Sequence, residues 1–435
     1  MQLSIIIFQS TDIFTERKMI FMKKKILVLG VGAQGSTVAQ RLDEEPNVAE
    51  IICADYDEKA VNNLVKILKK ARGVKVDATK KEEIVKIAQG VDLIVNALPL
   101  YMGKQVLDAA IEVKANYQDF SAPTNIIEDA ETTAEWIEGI RIMYSDYDKK
   151  FAEIGKTAIT ATGSAPGLIC VVARRAVREL DSCDTINMLV YEGGEAKRFL
   201  PFWWSPADAL EDMSEAGMAY IDGKIVETEA FGLPVSRKFP EMDGKEVIMV
   251  EHHHDEPVHM GINAEKYFKG AKNIYFKYGG VGMNFARPLY RAGLLSQEDV
   301  MIDGDEVCPF DVILAHIPPA PKYREEIKEI IEEGLVADEG AFVVEAYGKK
   351  NGKDVMIDAH VSAPGLAEAF ERSGLTGEMY LTGQSGFAFT KMFVDDKFTQ
   401  HGLISSDMLT EEQNDYYLNL VSKFDITLEL EVKEV

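Results

Sequence analysis

Cysteine is scarce in this chain. Cys53, Cys170, Cys183 and Cys308 are the four in 435 residues, and no two form a Cys-x-x-Cys pair. A thiol redox centre and a zinc ribbon are therefore unsupported, and a reducing cytoplasm fits better than a stapled secreted protein. Positive charge is also short: 47 Lys and Arg face 72 Asp and Glu, a net charge of -25. Such a surface repels phosphate polymers and anionic lipid, which sets aside nucleic acid and membrane surfaces as partners. It does not disfavour an uncharged, cationic or zwitterionic small substrate. Long apolar runs are missing too. Ile5-Ile6-Ile7-Phe8 is far too short to span a bilayer, and no later stretch approaches 18 apolar residues. The opening segment lacks the basic start and small-residue cleavage site of a signal peptide. Met22-Lys23-Lys24-Lys25 runs straight into a strand, so residues 1–21 are expected to be an extension. Internal repeats and low-complexity tracts are absent.

What remains is the composition of a globular protein, 46% hydrophobic and 27% charged, with length for two to three domains. From Lys25 to about Ala161 short apolar strands alternate with helical runs. The strands are Ile26–Leu29, Ile51–Ala54, Val74–Val76, Leu93–Val95, Asn116–Gln118 and Thr157–Thr160. Between them lie Glu58–Ala71, Lys81–Ala88 and Lys104–Val113. Strict alternation predicts βαβ units around a parallel sheet, and strands without polar alternation predict helices on both faces. A helix opened by Pro166-Gly167 runs to about Leu180, after which the segments turn strand-like: Thr185–Tyr191, Lys224–Thr228, Glu246–Glu251 and Asn273–Tyr278. Ala341–Tyr347 and Asp354–His360 flank an Asn351-Gly352 turn and predict a hairpin. We read residues 22–164 as a dinucleotide domain, 165–370 as a mixed-sheet substrate domain, and 371–435 as a segment returning to the first. Its helix, Gly386–Phe393, is expected to pack there.

Gly30-Val31-Gly32-Ala33-Gln34-Gly35 follows an apolar strand at once and opens the helical run Ser36–Leu42. The first Gly permits the tight turn, the second lets a pyrophosphate approach the backbone, and the third lets helix and strand pack closely. Phosphate then meets the free N–H groups of the helix start. Asp55 lies 20 positions beyond Gly35. A carboxylate there accepts from both ribose hydroxyls and repels a 2′-phosphate, and no Arg follows closely. The expected cofactor is NAD, in preference to NADP. Asp77, followed by Ala78, closes the third strand; it can flank the adenine or serve as a plain helix N-cap. Asn96-Ala97-Leu98-Pro99 ends the fourth strand at the crevice where ligands sit in such sheets. Ala97, Leu98 and Pro99 suit a loop beside the nicotinamide ribose, or a simple strand-to-helix turn.

Taken in order, several motifs resemble the saccharopine dehydrogenase family, whose relatives include lysine 6-dehydrogenase and carboxynorspermidine dehydrogenase. They are Gly30-x-Gly-x-x-Gly35, Val76-Asp77-Ala78, Ala97-Leu98-Pro99, Tyr117-Gln118-Asp119-Phe120-Ser121, Gly163-Ser164-Ala165-Pro166-Gly167, Trp204-Ser205-Pro206 and Thr382-Gly383. The resemblance covers about residues 23–410. It implies a pyridine-nucleotide oxidoreductase acting on a C–N bond of an amino acid or its conjugate. The fold it implies is α/β: a Rossmann doubly wound parallel sheet with an inserted α+β mixed-sheet substrate and dimerisation domain, often a homodimer. Saccharopine-forming members read Asp-Pro-Gly where this chain has Ala165-Pro166-Gly167, and carry Arg where it has Ala207. An Arg would grip a substrate carboxylate bidentately, so saccharopine itself is not implied.

Hydride loss from a carbon bearing an amine needs that amine neutral, so a base should stand near the mouths of the fourth to sixth strands. We assign Asp119 as base or ammonium anchor and Tyr101 as proton relay or substrate contact; turn and packing roles compete for both. Ser121, Thr162 and Trp204 are substrate-contact candidates. Pro166 and Gly167 open a helix whose free amides could hold a substrate carboxylate, or are ordinary punctuation. Arg174 and Arg175 on that helix are expected to face solvent or an Asp. Glu251-His252-His253-His254-Asp255 is the one histidine cluster; a strand there puts His252 and His254 on one face, and we expect no metal. The leading activity is NAD-linked oxidation or formation of an amine on an amino acid. A lysine 6-dehydrogenase and a non-catalytic NAD-binding regulator are the alternatives.

Overall fold

The computed structural model describes residues 23–128, 130 and 132–435; the expected extension at 1–21 lies outside them. The first sheet has seven strands. In chain order they are β1 (Lys24–Leu29), β2 (Val48–Asp55), β3 (Ala71–Lys75), β4 (Leu93–Asn96), β5 (Asn116–Asp119), β6 (Thr157–Thr160) and a late strand, Gly402–Ser405. Across the sheet the order is Gly402–Ser405, β6, β5, β4, β1, β2, β3, all parallel. Alternate residues of β1 feed two separate cores. Ile26 and Val28 enter one, Leu27 and Leu29 the other, which is why the strand reads apolar throughout. The order reverses between β1 and β4, and that crevice lies at the carboxyl ends of the strands.

The helix expected over Glu58–Ala71 stops at Val65. Asp43 accepts from the amides of Lys69 and Lys70 and turns the chain into β3, whose Gly73 leaves no room for a Cβ beside Val61. Helical periodicity ran on through residues that tertiary contacts claim for the sheet.

The second sheet has nine strands and mixed direction. Its main path runs Lys224–Thr228, Gly217–Ile221, Asn273–Gly280, Ser182–Glu192, Gly340–Lys350, Lys353–Ser362, Thr427–Glu434, with Val235–Lys238 and Glu246–Glu251 attached beside Asn273–Gly280. Only the Asn273–Gly280 and Ser182–Glu192 pair is parallel. At the hairpin tip Asn351 and Gly352 both take positive φ, 53° and 77°, the primed turn that the Asn-Gly pair favours.

The tail visits both sheets. Its helix, Gly377–Val394, is longer than expected and packs on the Ala33–Glu44 helix, where Gly383 lies against Thr37. Gln118 donates to the Gly386 carbonyl at 2.8 Å and accepts from Thr390 at 2.8 Å. Strand Gly402–Ser405 then completes the first sheet. The last strand, Thr427–Glu434, instead leaves for the second sheet and pairs with Lys353–Ser362, a correction to a tail that only returns to the first domain. Leu428 and Leu430 alternate toward the core there and charged residues face away. No helix among the described residues is long and apolar enough to cross a membrane.

Candidate active site

The glycine loop is built by close packing. Gly30 takes φ 88°, and a Cβ there would lie 2.5 Å from the Ala97 carbonyl oxygen. A Cβ on Gly35 would lie 1.9 Å from the carbonyl oxygen of Gly30. Around Gly32, by contrast, nothing stands within 4 Å of a built Cβ. The helix beginning at Ala33 has no side-chain cap and no acid in its first turn, so its first amides and positive end face open space. Gln34, half-buried, brings a buried Oε1 with no partner to the same place. An anion with further polar groups fits this cradle; Gly32, Ala33, Gln34 and Gly35 are the residues that would hold a dinucleotide pyrophosphate.

Asp55 ends β2 beneath the loop. It accepts from Val31 N at 2.8 Å and Asp57 N at 2.9 Å, one bond on each oxygen. A second lone pair on each stays available for ribose hydroxyls. Tyr56 beyond it is exposed, and Asp57 caps the Glu58–Val65 helix. Asp77 is not a helix cap: the residue before the Lys81–Ile87 helix is Lys80. Its carboxylate closes its own turn on Thr79 and pairs with Lys80 at 2.7 Å. Those bonds hold it down at about 2. Ala78 beside it is buried. Ala97 bonds to Leu29 O at 2.8 Å and presses on Gly30 and Gly35, while Leu98 and Pro99 lead into the turn Leu100–Met102. Tyr101 stands on that turn, 66% exposed.

Asp119 lies elsewhere than a base should. It is 2% exposed. Asn96 Nδ2 donates to Oδ2 at 2.8 Å, Tyr117 OH donates to the same oxygen, and Ser121 N donates to Oδ1 at 3.2 Å. Ser121 Oγ reaches Oδ1 at 3.5 Å. Burial lifts the carboxyl to about 6 against the pull of Tyr117, Asn96 and Ser121. With donors on both oxygens and no open face, this group fixes the ends of β4 and β5. The structure does not join Asp119 and Tyr101 in one pair. Thr162 is also enclosed: it donates to Asp119 O at 2.8 Å and accepts from Gln118 at 3.1 Å.

The helix after Pro166 starts at Leu168. Gly167 takes φ 138°, and a Cβ there would overlap the Gly163 carbonyl. The amides of Leu168 and Ile169 are already spent on the carbonyls of Gly163 and Ser164, at 3.0 and 2.9 Å. Pro166 and Gly167 therefore shape a tight loop, and the first helical amides, those of Leu168 and Ile169, are not free for a substrate carboxylate. Arg174, expected to face solvent or an Asp, is half-buried and donates to Tyr267 O.

The second sheet supplies groups that sequence reading missed. Glu192, at the end of its strand, accepts on Oε2 from Tyr278 OH at 2.6 Å and from Trp204 Nε1 at 3.3 Å. The neighbouring Trp203 is core, tied to Gly194 O. The His252 ring meets Tyr278 edge-on at 4.9 Å and His254 at 5.0 Å. His254 stacks on Phe276 at 3.9 Å and bonds Glu256 at 2.8 Å. Burial works against its charge, yet Glu256 and Asp212 lift it to about 9. From the tail helix, Glu378 accepts from Thr382 at 2.9 Å, and Thr382 shares a 2.7 Å bond with Ser164. Burial and the Glu192 charge raise Glu378 to about 7. Five residues along the same helix, Gly383 lies against Thr37 of the cradle's own helix. Trp204-Ser205-Pro206 and Thr382-Gly383 were visible as motifs, and Glu256 directly follows the histidine cluster; Glu192, Asp212 and Glu378 were lone acids on distant segments, with no spacing to mark them.

The family model for the saccharopine dehydrogenase NADP-binding domain matches residues 26–159. This part of the chain is similar to the dinucleotide-binding domain of the saccharopine dehydrogenase family. Over 409 residues the chain is 26% identical to a carboxynorspermidine synthase of Vibrio alginolyticus, covering 88% of this chain and 92% of that protein. A carboxynorspermidine synthase of Vibrio cholerae is 26% identical over 410 residues, with 89% and 92% covered. In fold it is similar to apo saccharopine dehydrogenase (L-Glu forming) from Saccharomyces cerevisiae, TM-score 0.66 at 14% identity, over 94% of this chain and 99% of that one. The chain is thus similar in fold to a saccharopine dehydrogenase, and its first domain matches a nicotinamide-dinucleotide-binding model.

Proposed function

We propose that this protein transfers hydride between NAD and the C–N bond of an amino acid or amino-acid conjugate. The observation that carries the reading is the adjacency of an uncapped, open glycine-loop helix and the helix Gly377–Val394, which packs on it through Gly383 and bears the half-buried carboxylate of Glu378. When bound, the cofactor accepts or returns the hydride. The chain's residues hold it and orient the amine. Gly30 and Gly35 close the loop, Gly32 stays clear, Asp55 takes the ribose, and the Ala97–Pro99 turn runs beside the nicotinamide end. Tyr101, exposed on the Leu100–Met102 turn that follows, serves as substrate contact. Asp119 acts as a positioning residue that fixes Asn96 and Ser121.

Asp55, Asp57 and Glu58 favour NAD, since three acids repel a 2′-phosphate. Lys59 and Lys75 line the shallow cavity beyond Tyr56 and give NADP its foothold, so the ratio of the two cofactors is the test. A nicotinamide-absorbance screen with saccharopine, carboxynorspermidine, lysine, and glutamate plus semialdehydes should show turnover with at least one conjugate, with higher kcat/KM for NAD. A tenfold preference for NADP refutes the cofactor assignment. Turnover of lysine alone selects the lysine 6-dehydrogenase alternative. Dinucleotide binding without turnover of any amine refutes the enzymatic reading.

A further inference from the structure

After the helix Val281–Arg291 the chain puts out a two-stranded ribbon, Val300–Ile302 against Asp305–Val307, that joins no other sheet among the described residues. Its tip is an Asp303-Gly304 turn with both φ positive, 52° and 99°. Its base is tied where Phe310 N donates to Ser296 O at 3.2 Å. A lone pair of strands is marginal in water, yet this one bares its apolar residues: Val300, Met301 and Ile302 are 42%, 64% and 53% exposed. Register sets Val300 opposite Val307 and Ile302 opposite Asp305. One face therefore carries an apolar strip that ends, at the tip, in a carboxylate. The carboxylates of Asp299, Asp303, Asp305 and Glu306 have no hydrogen-bond or ion partner among the described residues. The helix before the ribbon bears the opposite charge. Arg287 and Arg291 lie one turn apart and, with Asn284, line a shallow cavity of about 440 Å³. Elsewhere arginines meet acids: Arg175 pairs with Glu179, Arg198 with Glu333 and Arg237 with Glu345. Arg287 and Arg291 meet none among the described residues, and the buried Nε of Arg287 has no partner, which is unfavourable until an acceptor arrives. Tyr290 and Leu294, both exposed, add apolar edges to that helix end. No ribbon residue lines the cavity, so the acids of the ribbon do not reach the arginines of their own chain.

We propose that the ribbon Val300–Val307 docks in the Arg287–Arg291 cavity of a second copy of this chain, and that the second copy returns the same contact. Asp305 and Glu306 then meet guanidinium groups, which hold carboxylates through paired N–H donors. Val300 and Ile302 leave water against Tyr290 and Leu294. The occupant is a second copy because both halves of the contact stand on one chain, complementary in charge and each unused within it. A two-fold axis lets the two contacts form at once, ribbon to cavity and cavity to ribbon. Two molecules that each carry a net charge of -25 repel one another at a distance, so a pairing surface needs local opposite charge beside its apolar contacts. The inference goes beyond the oxidoreductase reading and stands whatever that reaction is.

The test is sedimentation of the full chain and of two charge-reversed variants. One carries Asp305→Lys with Glu306→Lys on the ribbon, the other Arg287→Glu with Arg291→Glu in the cavity. The unaltered chain should sediment as a dimer, and each variant alone should dissociate at least tenfold more readily. Mixed in equal amounts, the two variants should recover the dimer, since the lysine ribbon of one then meets the glutamate cavity of the other, and the unaltered ribbon meets the unaltered cavity. Melting curves show whether the variants are folded. Should either melt early, Ile302→Ser changes no charge and should weaken the dimer on its own. A monomeric unaltered chain overturns the pairing, as does a dimer that survives in either folded variant, or folded variants that stay apart when mixed. Glutarate titrated into the unaltered chain examines the other occupant. Saturable binding by a chain that stays monomeric, lost in the arginine variant, would make the cavity a small-anion site and overturn the pairing too.

Discussion

Gly32 and Gly35 are three positions apart and tolerate a methyl group very differently. At Gly35 the added carbon meets backbone 1.9 Å away; at Gly32 it meets nothing within 4 Å. Gly35→Ala should therefore lower folding stability by about 1–3 kcal/mol, the usual range for overpacking. Gly32→Ala should melt with the parent protein yet lose dinucleotide affinity at least tenfold, because the methyl fills space kept for phosphate. Urea unfolding and nucleotide titration of both variants check this; equal loss of stability would show that Gly32 is structural too. The loop was legible because its chemistry is local: three glycines, a strand before and a helix after. Asp119 shows the opposite case. Its position at the end of β5 was readable, but its closure by Asn96, Tyr117 and Ser121 depends on the register between β4 and β5. Glu192 and Glu378 were unreadable, since 186 positions of sequence part them and only the folded tail brings them near.

At the scale of elements, the strands of the first sheet could be read within a few residues because both faces are apolar. Element ends were less legible where side chains arrest them, as Asp43 does ahead of β3. The predicted hairpin also carries a testable charge. His360, on strand Lys353–Ser362, lies between Asp358 and Glu241, with His360 Nε2 3.0 Å from Asp358. Bonds to Asp358, against some burial, raise it from 6.5 to about 9. A folded pKa above the unfolded one means that this stability is complete below 6.5 and disappears as pH climbs through about 9. Urea midpoints measured below 6.5 and above 9 should fall across that window. His360→Gln should remove most of the fall; an unchanged slope would assign it to other groups.

On the scale of the whole molecule, one apolar core joins residues of both sheets, from Ile26 and Val38 through Leu168 and Ile186 to Phe387. A buried polar line crosses the same seam. Asp255 pairs with His259 at 3.3 Å, His259 meets Tyr144, Tyr144 donates to Ser405 at 2.8 Å, and Asn263 donates to Asp407 at 2.8 Å. With the seam shared, calorimetry should record a single unfolding transition, and saturating NAD should move all of it upward. Two transitions, of which NAD shifts one, would mean that the sheets unfold separately. Alternating periodicity announced two sheets; it could not announce their fusion, because the joining residues are ordinary Leu, Ile and Phe.

The route of the tail bears on how such a protein can be rearranged. Cut after residue 164, the nucleotide half would forfeit the Gly402–Ser405 rim and the helix that satisfies Gln118. It could not be lifted out as a portable cassette or grafted onto a foreign partner. A gene that shuffled this half would have to carry the distant 3′ end with it, so the two must travel together.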